Sequence, residues 1–210
     1  MLVRQVFLVD VFLRNSVITP SDISAGEVDA LVKKYGRPRR LKFEADFLEP
    51  ECELIRESTS KGRNHDITCF IKSGGGYVVI QKPAYSDTGI FRAPSGGAHP
   101  GETIEDGASR EMHEETGLEI RLIRFVLDLS LTVNCGKETI PWRSLVFLAD
   151  IAGGEMKPID SHEISGITVM TKEQLLGPVT KLMKKSGMGG FKYRAFLTKS
   201  FFEELEKLRR

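Results

Sequence analysis

The sequence predicts an α/β fold preceded by an N-terminal α+β extension. Three observations carry the prediction. Apolar runs of strand length alternate with stretches that have helical periodicity and recognisable caps. Two of the short apolar runs are joined by a glycine-rich tetrapeptide, as in a hairpin. The 210-residue chain is 40% hydrophobic and 28% charged, the balance of an ordinary globular protein with a packed core.

The first 13 residues are apolar, but Arg4 and Asp10 interrupt them and no small-residue cleavage site follows. They are too short and too charged for a membrane span or a secretory leader, and read as a buried strand or two. A helix is expected over about 25–35. Ser24 and Glu27 form a capping-box pattern, and Ile23 with Val28 fits a hydrophobic staple. Val28, Leu31, Val32 and Tyr35 line one face, and Gly36 and Pro38 stop it. Leu41, Phe43, Ala45 and Phe47 alternate with charged residues, a half-exposed strand. Residues 56–66 are polar and read as a loop or linker.

Runs 67–71 and 77–81, joined by Ser73-Gly74-Gly75-Gly76, form the expected hairpin. A glycine-rich loop leads into an acidic helix over about 104–116. Strands are expected at 122–132, 142–150 and 167–170. Thr171 with Gln174 opens another helix, which Gly177-Pro178 breaks. Thr198 is placed as the cap of a last helix, with Phe201, Leu205 and Leu208 inward. Gly187-Met188-Gly189-Gly190 follows a helix rather than a strand, so it reads as a connector and not a phosphate loop.

Lysine plus arginine number 30 and aspartate plus glutamate 29, a formal charge of +1. No dedicated nucleic-acid surface is evident from that balance. The near-zero total hides a window of −6 at residues 96–119 and one of +6 at 172–210. Cys52, Cys69 and Cys135 are odd in number and widely spaced, without a zinc pattern, so a reduced, cytoplasmic protein is expected.

The chemistry concentrates in residues 96–118, Gly-Gly-Ala-His-Pro-Gly-Glu-Thr-Ile-Glu-Asp-Gly-Ala-Ser-Arg-Glu-Met-His-Glu-Glu-Thr-Gly-Leu. Glu111, Glu114 and Glu115 fall at i, i+3 and i+4, so a helix stacks them on one side. Carboxylates this close repel one another unless a cation compensates, and oxygen-only ligands suit Mg²⁺ or Mn²⁺. The alternative is a solvated acidic helix. Arg110 neutralises part of the cluster and is placed to pair with Glu102. Ala108 and Met112 lie on another face, for the core, and Gly117 caps the end.

The stretch reads Gly-x5-Glu-x7-Arg-Glu-Met-x-Glu-Glu-x-Gly-Leu without a missing position, and in this it resembles the Nudix hydrolase family. The resemblance implies an α/β/α sandwich around a mixed sheet, over a catalytic domain of about residues 64–185. Residues 1–63 then form the extension, and 186–210 a helical segment packed on the domain. It implies cleavage of a nucleoside diphosphate linked to another moiety, by water attack at phosphorus, with a nucleotide-type small molecule as substrate. Carried over, Glu111, Glu114 and Glu115 are metal ligands, with the carbonyl of Gly96 or Gly97 as a further one. Glu102 and Arg110 become the supporting pair. The general base is a box glutamate or a later acid, for which Glu163 is the candidate, with a plain loop residue as its other reading.

Gly107 stands where the family usually has alanine, and close packing would explain it. Pro94-Ser95 replaces the commoner Pro-Gly entry to the loop. Substrate-specific markers of the ADP-ribose, dinucleoside-polyphosphate, NADH and coenzyme-A types are not found. Arg92 is a candidate phosphate contact, or else a solvent-facing strand residue. Trp142 reads as core before base-stacking, and His99 and His113 as surface. A nucleotide-sensing module without catalysis is the alternative reading, disfavoured by the intact carboxylates. An isomerase on the same scaffold would need a cysteine near the box, and there is none. A homodimer is expected only on the general frequency of such assemblies.

Overall fold

A computed structural model describes residues 23–159 and 161–208. The strands expected within the first 13 residues lie outside this description. The described chain builds one mixed seven-stranded sheet with helices on both faces.

Helix α1 (Ala25–Tyr35) starts as expected, with Ser24 accepting from the Glu27 N–H at 3.1 Å. Ile23, Val28 and Leu31 are buried together. The Glu27 side chain, however, does not reach back to its own cap. It accepts the Ile104 N–H at 2.7 Å, far along the chain. Strand β1 (Arg39–Asp46) shows the alternating burial read from its period of two.

Residues 56–66 correct the linker expectation. Helix α2 (Glu49–Ser60) runs through 56–60, and His65 and Asp66 already belong to strand β2 (His65–Ser73), so only 61–64 connect the two. Pro50 sits in the first turn, and Glu51 reaches back to the Leu48 N–H at 2.9 Å. In the polar tail the hydroxyls of Ser58, Thr59 and Ser60 fold back onto carbonyls three or four residues earlier, a local alternative that accompanies the end of the helix.

Strand β3 (Gly76–Gln81) completes the hairpin with β2. A two-residue strand β4 (Ser95–Gly96) pairs Gly96 with Ile67 and Ser95 with Thr68. Helix α3 (Ile104–Thr116) is followed by strands β5 (Leu118–Cys135) and β6 (Glu138–Gly154), both longer than their apolar runs suggested. Strand β7 (Gly166–Met170) lies at one edge. The order is β1-β5-β6-β2-β3-β7, with β1 parallel to β5 and β2 parallel to β6. The segment before residue 64 thus contributes an edge strand to the same sheet.

Helix α4 (Lys172–Gln174) does not break at Gly177-Pro178. It passes through a π-helical turn at Leu175–Val179 into α5 (Thr180–Lys185), since a wider turn accommodates a proline lacking its N–H. The last helix, α6 (Gly189–Leu208), begins well before Thr198, which lies buried in its middle. Its start is capped from outside: Glu51 accepts the N–H groups of Gly189 (3.1 Å) and Gly190 (2.8 Å).

One face of the sheet packs α1 and α3 through Ile67, Cys69, Phe125, Phe147, Ala108 and Met112. The other packs α6 and the π turn through Phe70, Leu129, Phe191, Phe201 and Phe202. Trp142 belongs to that second core. Cys52 and Cys135 form a disulfide, with Cα atoms 5.8 Å apart, so the reduced-cysteine expectation is corrected for this pair. The pairing follows from topology. Strand β1 lies along β5, and the turn into α2 returns Cys52 to the β5 end. Cys69 is free, and burial pushes its thiol up. No described helix is long and apolar enough to cross a membrane.

Candidate active site

Helix α3 carries the site because three features fix its place. Thr103 caps it, accepting from the Asp106 N–H at 3.1 Å. Gly117 ends it in the left-handed conformation, φ 72°. Ala108 and Met112 anchor it to the core with no exposed surface. The loop at residues 95–98 is held against it from both sides.

Two box carboxylates grip that loop. Glu115 accepts the Ser95 N–H at 2.7 Å, and Glu111 accepts the Gly97 N–H at 3.1 Å. Gly96 lies between them, and a Cβ there would sit 1.8 Å from the Glu111 carboxylate carbon. Only glycine leaves the carboxylate its place. From the strand side, His65 accepts the Ala98 N–H at 3.1 Å, and the Arg63 side chain lies against Gly97.

Arg110 is the hub expected of it. Its guanidinium holds Glu102 through Nε (3.0 Å) and Nη2 (2.9 Å), Glu114 through Nη1 (3.0 Å) and the Gly97 carbonyl through Nη2 (2.8 Å). Glu111 lies 3.1 Å from Nη1. The Arg110 pairing holds the Glu102 carboxyl below the usual range. Since Arg110 occupies the Gly97 carbonyl, Gly96 is the better candidate of the two for a backbone ligand.

Glu115 is buried, 2% exposed. Burial pushes its carboxyl up, against the opposing pull of Arg92 and Lys82. Arg92 Nη2 lies 3.5 Å and Lys82 Nζ 3.3 Å from its Oε1. Lys82 also pairs with Glu163, which brings that later acid to the site. Arg92 is not solvent-facing. It donates to Tyr85 (3.1 Å), the Ala93 carbonyl (3.0 Å) and the Ser95 hydroxyl (2.9 Å). His99 and His113 are exposed, as expected.

Among the described residues, no three acids, histidines or cysteines already converge as a formed metal cage. Glu114 turns out to Arg110 with about half its side chain exposed. The donor set nevertheless fits a hard cation. It is all oxygen, it brackets a glycine backbone, and the Lys82 ammonium between Glu115 and Glu163 is a stand-in for positive charge there.

Gly107 is explained by packing. A Cβ on it would lie 2.8 Å from Ala98 Cα and 2.9 Å from Ala98 Cβ, closer than such atoms approach. Gly107→Ala gains about 0.5–1 kcal/mol of helix propensity but pushes the 95–98 loop off the helix. The expected result is a catalytic rate lowered roughly tenfold or more with little loss of melting temperature. A rate equal to wild type would overturn it.

The NUDIX domain family model matches residues 62–188. The chain belongs to the Nudix hydrolase family. Similar proteins include NAD-capped RNA hydrolase NudC of Vibrio atlanticus (strain LGP32), 32% identical over 104 residues, which is 47% of this chain and 34% of that protein. NAD-capped RNA hydrolase NUDT12 of Macaca fascicularis is 30% identical over 93 residues, 44% of this chain and 19% of that protein. The chain therefore matches about a fifth to a third of the length of these relatives. A solved NUDIX hydrolase from Nitrosomonas europaea superposes with a TM-score of 0.49 at 17% identity, over 67% of this chain and 88% of that one.

Relative to the Nudix match, α1, β1, α2 and α6 all lie outside residues 62–188. Several residues at the site were not found from sequence: His65, Lys82, Ser95 and Arg194. Ser95 directly precedes the box but reads from sequence only as a departure in the loop entry, while His65, Lys82 and Arg194 stand at no fixed spacing from the box and arrive through strand pairing or helix packing.

Proposed function

We propose that the protein is a metal-dependent pyrophosphohydrolase that cleaves a nucleoside diphosphate linked to another moiety. The observation that carries the reading is the grip of Glu111 and Glu115 on the loop at 95–97, with Glu115 buried beside two cationic side chains. A buried carboxylate beside a glycine backbone is costly to maintain for packing alone.

Glu111, Glu115 and the Gly96 carbonyl, joined by Glu114, would hold Mg²⁺ or Mn²⁺. When bound, the ion offsets the charge developing on the phosphates and acidifies nearby water. Arg110 and Glu102 keep the glutamates in position. The proton leaving water goes to an acid that solvent reaches, Glu114 or Glu163. Lys82 offsets part of the charge of Glu115 and Glu163 before the substrate arrives. Arg92 serves the loop rather than the substrate.

The test is product analysis on nucleoside triphosphates, nucleotide sugars, ADP-ribose, dinucleoside polyphosphates, NAD and NAD-capped RNA, with Mg²⁺ and with Mn²⁺. The two named relatives are the reason for the NAD-linked substrates. The expected result is release of a nucleoside monophosphate from at least one of them, abolished by a chelator. Tight binding without release from any substrate would overturn the reading and favour a nucleotide sensor.

A further inference from the structure

We propose that Arg194, on α6 and outside the family match, is a positioning residue that acts on the catalytic loop through Ser95. The inference rests on the hydrolase reading for its consequence, but not for its geometry. Arg194 crosses the buried face of the sheet. Its Nη1 donates to Thr68 Oγ1 (2.8 Å), and its Nη2 to Asp66 Oδ2 (3.0 Å) and Ser95 Oγ (2.9 Å).

Ser95 is the junction. Its hydroxyl also accepts from Arg92 Nη1 at 2.9 Å, so both acceptor positions of that oxygen are taken by guanidinium groups. Its N–H is the one held by Glu115. The hydroxyl is thus fixed from the α6 side and the N–H from the α3 side. The Glu115 carboxylate is aimed by a residue that cannot shift.

Docking of α6 does not need this cation. Phe201 stacks on Phe70 with centroids 3.7 Å apart, Phe202 meets Tyr77 edge-on at 5.1 Å, and Glu51 caps the helix start. Asp66, 7% exposed, has its second oxygen buried and without a hydrogen bond. Arg194 is the cation bonded to that carboxylate: Nη2 spends its two hydrogens on Asp66 and Ser95, and Nη1, anchored on Thr68, fixes the plane of the guanidinium that holds Nη2 between them.

Amide hydrogen exchange on the metal-free full chain tests the inference, with kcat and KM measured beside it. Arg194→Lys keeps the charge and the fold but loses the fork. Exchange at residues 95–98 should rise roughly tenfold in it and in Ser95→Ala, while α6 amides keep their protection. Turnover should fall about tenfold or more with KM nearly unchanged. The double variant should be no worse than Ser95→Ala alone. Unchanged exchange at 95–98 in both single variants would overturn the proposal, and so would loosening spread evenly over α6. If the wild-type protein turns over no substrate, the hydrolase reading fails while the exchange result still decides this one.

Discussion

Glu115→Gln is expected to leave a folded protein that has lost at least about 100-fold in kcat/KM, since groups one shell farther from a metal already cost 10–100-fold. The fold should survive for local reasons. The glutamine oxygen still accepts the Ser95 N–H, so the loop keeps its anchor. Arg92 keeps Tyr85, the Ala93 carbonyl and Ser95, and Lys82 keeps Glu163. Burial already pushes the Glu115 carboxyl up, so a neutral isostere is tolerated there. The decisive measurements are steady-state turnover and Mn²⁺ affinity, alongside a melting curve. Turnover and Mn²⁺ affinity both equal to wild type would remove Glu115 from the site.

Reduction of the Cys52–Cys135 bridge is expected to destabilise the protein by about 2–4 kcal/mol, because it releases a long loop in the unfolded chain. The sequence separation is 83 residues, and for a loop that long the chain-entropy model puts the effect at the top of that range or slightly above it. Midpoints of thermal unfolding with and without reductant should differ by roughly 5–15 °C for a chain of this size. Cys52→Ser should match the reduced protein, and Cys69→Ser should not. Equal midpoints under both conditions would show that the bridge does not form in solution.

Much of the fold was legible where local signals agree with the tertiary outcome. Ser24 and Gly36 bound α1, the alternation from Leu41 marks β1, and the glycines at 74–76 turn the hairpin. In the site, the spacing of Glu102, Arg110, Glu111 and Glu115 needs only a helix and a returning loop to be read. What escaped has a common cause. Helix α2 is mostly polar, with few residues such as Cys52 and Ile55 facing inward, and its N-cap position is Leu48, a residue type that gives no capping signal. The start of α6 carries two glycines and no cap of its own. Its partner is Glu51, 138 residues earlier, and no local window contains both. Lys82 and Arg194 meet Glu115 and Ser95 through sheet and helix packing in the same way.

The borrowed cap has a consequence for the order in which the molecule assembles. Glu51 is presented by α2, which must itself be wound and seated beside β5 before its carboxylate faces the two glycines. Closing a loop this long costs chain entropy that only the finished sheet can repay. The C-terminal helix is therefore expected to gain its start late, and Arg194 to reach Ser95 after that; pulse-labelled exchange during refolding should show the amides at 95–98 protected after those of β5, and simultaneous protection would overturn this order.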